Sequence, residues 1–174
     1  MTTEIAWLGR LLMLLLAFAV GLRAAHGMER AGDAALVHAL EDRTEIASVL
    51  ERDILALIER SSDEDRLELY VTYNRLVGAW SQVDLAQELL EAAVSATSPA
   101  EETEVRTTLR DQARFALWDL EETRVQLERS APAADHPEHW RIRATIGHLL
   151  ADTRTVIGRL LADQCVHLQC TAGP

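Results

Sequence analysis

Past residue 30 the apolar side chains of this chain recur at steps of three and four, in four separate runs. Leu36, Leu40, Ala47, Leu50, Ile54 and Leu57 make the first; Leu69, Tyr73, Leu76, Trp80, Val83, Leu90 and Val94 make the second. Val105, Leu109, Ala113, Leu117, Leu120 and Leu127 follow, then Ile142, Ile146, Leu149, Val156 and Leu160. A period near 3.6 gathers each set on one side of an α-helix, and that side has to be covered by something apolar. Adjacent Val37, Val49, Ile58, Tyr70, Val77, Leu89, Leu150, Ile157 and Leu161 widen the stripes beyond the narrow seam of a two-stranded coiled coil.

Capping chemistry separates the runs. Ser61-x-x-Glu64 has the spacing of a capping box, and so does Ser98-Pro99-Ala100-Glu101, with proline at the first helical position. Asp135-His136-Pro137-Glu138 follows the loop "SAPAA" and is a third start signal. The expected helices cover 30–60, 63–96, 99–129 and 136–168, each about 45 Å long at 1.5 Å per residue. Only four prolines and eight glycines are available for turns, which fits few long elements. Short connections force neighbouring helices to run in opposite directions. The expected fold is therefore all-α, one domain over 28–174: an antiparallel up-down-up-down four-helix bundle, preceded by an N-terminal hydrophobic helix. Two long hairpins pairing with a second copy are the alternative.

That N-terminal segment sets the address. Arg10 precedes an apolar run from Leu11 to Leu22, short for a membrane span but suited to a signal-peptide core. Ala25-His26-Gly27 offers small residues at the right places for cleavage, leaving Met28 as the new terminus. Counted from Ile5 to Leu22, with Arg10 at the interface, the same segment reads as an uncleaved anchor. Residues 1–27 are thus a signal peptide or a membrane anchor. Both readings export the remainder, to the periplasm or beyond, and contact with a membrane would run through the N-terminal segment alone. The anchored version resembles the ectodomains of bacterial membrane receptors, where a helix leaving the membrane leads into a four-helix bundle. The resemblance implies an accessory or interaction role, since no return span or signalling domain is present in the chain.

The formal net charge is −11, and all 17 basic residues are arginine. A nucleic-acid partner needs a basic face and is not expected; a protein partner or a second copy is. No Ser/His/Asp order, phosphate loop, nucleotide fingerprint or Glu-x-x-His pair occurs, so the chain is not expected to be an enzyme or to carry a cofactor. Glu41, Glu45, Glu59, Glu88 and Glu91 fall off or at the edge of the stripes and read as surface. Glu102–Arg106 and Arg124–Glu128 read as ordinary helix-face pairs.

Three groups of residues remain as site candidates. Cys165, His167 and Cys170 place three soft or borderline donors within six residues, one short of a usual structural zinc set. In an exported chain Cys165 and Cys170 are expected to form a disulfide, which requires the last helix to stop between them; unpaired or intermolecular thiols are the alternative. His136 and His139 share the first turn of the last helix and are a second metal candidate, against a plain capping turn. Met28 with His167 is similar in placement to the axial ligands of b-type cytochrome bundles, so a metal- or haem-binding bundle is the alternative function. Finally Arg43 and Gln87 interrupt apolar stripes, either as a polar notch inside the bundle or as register devices at its rim. Arg43 would then pair with Asp84 or Asp119, because a buried unpaired charge is costly. The aromatics Tyr70, Tyr73, Trp80, Phe115 and Trp140 read as core by spacing, and Trp118 as exposed.

Overall fold

The computed structural model describes residues 2–129 and 137–168, with side chains from residue 31 onward except that of Glu64. It is all-helical: α1 (Thr2–Arg60), α2 (Asp63–Ser95), α3 (Pro99–Arg129) and α4 (Pro137–His167), with no strand among the described residues. The chain divides into two units, 1–35 and 36–174. The first is the leading part of α1. It carries the expected signal or anchor segment, 1–27, whose side chains lie outside the described residues. Among the described residues no helix is long and apolar enough to cross a membrane.

The second unit is a four-helix bundle. Its core is one cluster to which all four helices contribute, with Leu40, Ile54, Leu76, Leu90, Leu109, Leu120, Ile146 and Leu160 fully or almost fully buried. These are residues of the four stripes, so burial follows the periodicity closely. Each such side chain contributes about 1.5–3 kcal/mol by leaving water. Some residues depart from expectation. Tyr70, Phe115 and Trp140, read as core aromatics, are exposed, as is the stripe-widening Val49, whereas Trp118 is exposed as expected. Phe115 follows Ala113 and precedes Ala116, both buried; those small residues face the core and turn the ring outward.

The corner between α1 and α2 is closed by side chains on main chain. Ser61 Oγ donates to Leu57 O at 2.7 Å and Arg66 Nε donates to Ile58 O at 3.1 Å, so two carbonyls left over at the end of α1 are satisfied. The cap of α2 is Ser62, whose Oγ accepts from Asp65 N at 3.4 Å, rather than Ser61 with Glu64. Three acidic residues in succession, Asp63 to Asp65, allow either register, and Ser61 is already engaged with α1. At the next corner the expected box forms: Glu101 N donates to Ser98 Oγ at 3.2 Å, and Glu101 Oε2 accepts from Thr97 N at 2.9 Å. The bonds from the Thr97 backbone N–H and hydroxyl hold the Glu101 carboxyl below its usual pKa.

Polar groups inside the bundle are spent on ties between helices. Gln112 Nε2 of α3 donates to Gln82 O and Oε1 of α2 at 3.1 and 2.8 Å. Arg106 of α3, read from sequence as a surface residue, is buried: Nη1 donates to Gln164 Oε1 of α4 at 3.1 Å, and Nε to Glu102 Oε1 at 2.8 Å. Gln164 is fully buried, with its amide nitrogen unbonded among the described residues. Thr153, also fully buried inside the α4 stripe, satisfies itself by donating to Leu149 O at 2.7 Å.

Replacing Arg106 with Ala should cost about 2–3 kcal/mol, because it vacates core volume and strips Gln164 of this bond. Glu102→Ala, at the half-exposed end of the same pair, should cost less than about 1 kcal/mol. Urea unfolding of the two variants checks the order.

Candidate functional site

The residues singled out in the sequence do not converge. Arg43 is half-buried, and its Nη1 donates to Ala39 O at 2.6 Å, one turn back on its own helix. Neither Asp84 nor Asp119 pairs with it. Gln87 lies at the rim, where Nε2 donates to Glu91 Oε1 at 2.9 Å. Arg43 and Gln87 are thus each hydrogen-bonded within their own helix. A full helical turn separates Arg43 from Ala39, and its long side chain can follow its own helix back to that carbonyl, whereas the neighbouring Thr44 is short and aims across the helix pair.

Thr44 takes the place expected of Arg43. Its Oγ1 accepts from the indole Trp80 Nε1 at 3.2 Å and donates to Asp84 Oδ1 at 3.3 Å. A buried indole needs an acceptor, and the hydroxyl passes the bond on to a carboxylate near the surface. Burial raises the pKa of Asp84, while its bond from Thr44 works the other way and nearby Glu88 adds to the rise. Burial also raises Glu51, with the Asp84 charge contributing.

The tail candidates are only partly described. α4 ends at His167, between the two cysteines. Cys165 is half-buried, there is no disulfide pair among the described residues, and Cys170 lies outside them. His167 Nε2 sits 3.6 Å from Asp163 Oδ2, one turn back. His139 is buried rather than exposed on a capping turn, and His136 lies outside the described residues, as does the side chain of Met28.

What the structure does form is a groove of about 470 Å³ between α3 and α4. Trp140, half exposed, stands at its edge, and Ala144, Gly147 and Ala151 line the α4 side. A Cβ on Gly147 would meet nothing within 4 Å, so the groove opens outward there. Small residues keep the α4 backbone close to the surface, which is what lets an incoming side chain or helix pack deeply.

The cations of the groove are already engaged. Arg124 forks onto Glu121, with Nη2 to Oε1 at 2.7 Å and Nε to Oε2 at 3.1 Å, and its Nη1 pairs with Glu128. The hydrogen bond from Arg124 is the main cause of the depressed Glu121 pKa, and the same bond raises that of Arg124. Arg154 Nε lies 3.6 Å from Glu121 Oε2 and joins α4 to this rim. Arg143, nearly buried, donates Nη1 to Leu127 O at 3.2 Å and pairs Nη2 with Glu68 of α2. Burial lowers its pKa, Glu68 opposes that, and Arg75 adds to it. Outside the groove, α3 displays Phe115 and Trp118 at 63% and 65% exposure. The periodicity of α4 held a signal for the groove: small residues at 144, 147 and 151 share one face with Trp140.

Comparison with protein-family models, with characterised proteins and with solved structures finds no match.

The raised acids give a pH prediction. A carboxyl whose pKa is higher in the folded than in the unfolded chain binds its proton more firmly when folded. Stability then falls as pH rises through the interval between the two values. Asp84→Asn keeps the acceptor for Thr44 and removes the charge. At neutral pH it should melt higher than the parent, with the gap closing as the pH is lowered into the carboxylate range and Asp84 takes up its proton. Thermal melts across that range decide it; a variant less stable at neutral pH would contradict the assignment.

Proposed function

We propose that this chain is a non-enzymatic interaction module of the cell envelope, exported by its N-terminal segment, which acts by binding a protein partner along the α3–α4 groove. The observation that carries this is the groove itself. It presents a half-exposed tryptophan over small residues, while its charged groups are already neutralised in pairs. Such a surface offers contact area with little charge to desolvate, as hot-spot surfaces do. Phe115 and Trp118 extend the apolar display on α3.

The same reading takes the bundle as antiparallel, up-down-up-down, with the N-terminal helix leading into it. Support comes from the residue pairs that meet. Ile58 meets Arg66 and Thr44 meets Asp84; Leu127 meets Arg143 and Arg106 meets Gln164. In each set, moving back along one helix moves forward along the next.

Two measurements test the function. A photo-crosslinking amino acid in place of Trp140, in the full chain in cells, should trap one discrete protein adduct, whereas the same probe at exposed Glu45 should trap none. No adduct at residue 140, or equal labelling at both, contradicts the binding surface. The purified protein should be colourless and free of stoichiometric metal; a Soret band or one bound metal ion per chain replaces this reading with a metal- or haem-binding bundle. Terminal sequencing of the exported protein should begin at Met28 if the leader is removed.

A further inference from the structure

A second groove, of about 390 Å³, opens between α1 and α4. Its floor is apolar: Leu50 and Leu57 of α1 and Ile142 of α4 are buried core residues. Its walls are charged. Asp53 and Arg60 come from α1, Glu138 and Arg141 from α4, so each wall carries one acid and one arginine. Helical period explains the placement. Asp53, Leu57 and Arg60 follow one another at steps of four and three on α1, and Glu138, Arg141 and Thr145 at steps of three and four on α4.

These charges differ from those of the α3–α4 groove, which are engaged with one another. The side chains of Asp53, Glu138 and Arg141 make no ion pair or hydrogen bond with another described residue. Arg60 is held only by its own helix, with Nε donating to Ala56 O at 3.0 Å. The Thr145 hydroxyl is spent on Arg141 O at 2.9 Å. Open charges of both signs therefore stand over an apolar floor, and they cancel locally in a chain whose formal charge is −11.

We infer that the α1–α4 groove binds a small zwitterion with an aliphatic body, the chemistry of a free apolar α-amino acid such as leucine. Its volume falls within the roughly 300–1,000 Å³ of small-ligand sites. Arg60 and Arg141 receive the carboxylate, which guanidinium groups recognise well. Glu138 receives the ammonium, and the aliphatic body lies over Leu50, Leu57 and Ile142. Charge complementarity selects this class over its neighbours. A simple anion meets two acids in the groove and the field of an acidic chain, and a simple cation meets two arginines. A ligand that carries both signs answers both, and being neutral overall it is not repelled. Glu138 and Arg141 lie one turn apart, roughly 5–6 Å between Cβ atoms, which suits the short separation of the two charges on one α-carbon rather than the two ends of a peptide.

This site is separate from the α3–α4 groove and is independent of the reading given for that groove. Equilibrium dialysis of the full chain against isotope-labelled leucine tests it. The expected result is saturable uptake of one leucine per chain with a Kd of about 1 mM or below, because exposed charges each contribute little. Isocaproate, which lacks the amine, and isopentylamine, which lacks the carboxylate, should each compete about tenfold less well than leucine. Arg141→Gln and Glu138→Gln should each weaken uptake about tenfold while leaving the melting temperature of the unliganded chain unchanged, since both side chains are exposed. Trp118→Ala should leave uptake intact. No saturable uptake up to about 10 mM leucine, equal competition by either one-charge analogue, or uptake that survives both α4 variants overturns the inference.

Discussion

Arg143 reaches from α4 across the last turns of α3 to α2, where Leu127 O and Glu68 receive its guanidinium, and this one side chain ties three helices together. Apolar packing alone is tolerant of sliding, since a leucine stripe displaced by one turn meets another leucine stripe. A nearly buried guanidinium is not tolerant, because a charge removed from water must meet its partners or the structure loses several kcal/mol. Arg143 therefore fixes the axial register in which the hydrophobic stripes of α2, α3 and α4 can meet. Arg106 with Gln164 makes a second tie between α3 and α4. Thr44 with Trp80 and Asp84 does the equivalent for α1 and α2. These three sets of interior polar groups act between helices, whereas Thr153 is satisfied within its own.

The surfaces are unequal. The net charge of −11 is spread over a shell in which α3 and α4 meet around a groove with internally balanced ion pairs, and α1 and α4 flank one with open charges of both signs. An acidic chain gains solubility and self-avoidance from its charge. Contacts are then selected wherever the charge is locally cancelled.

Much of the fold was legible because helix period and capping are local. The stripes through Leu40, Leu76, Leu109 and Ile146 predicted the core, and Ser98-Pro99 marked the start of α3 within the chain's own neighbourhood. The α2 cap was displaced by one residue, since Ser61 and Ser62 are equivalent until the end of α1 claims one of them. Legibility failed where a residue's environment is made by another helix. Arg106 and Arg143 look like any surface arginine until Gln164 and Glu68 arrive from distant parts of the chain. Arg43 showed the converse: it interrupts a stripe, yet its long side chain lets the charge leave the core along its own helix. The groove depended on which helices become neighbours, so the shared face of Trp140 and the small residues of α4 could not be read as a groove until α3 lay beside it.

The corner at Ser61 and Ser62 has a consequence for how the chain folds. Every bond that closes it joins residues no more than eight positions apart: Ser61 to Leu57, Ser62 to Asp65, and Arg66 to Ile58. Forming it requires almost no loop-closure entropy, and it brings Ile54, Leu57 and Ile58 beside Leu69 before any distant partner is needed. A chain that emerges N-terminus first during synthesis has to start somewhere without its C-terminal half. The hairpin of α1 and α2 is the piece that can assemble first, and the platform it presents is the one onto which α3 and α4 later close.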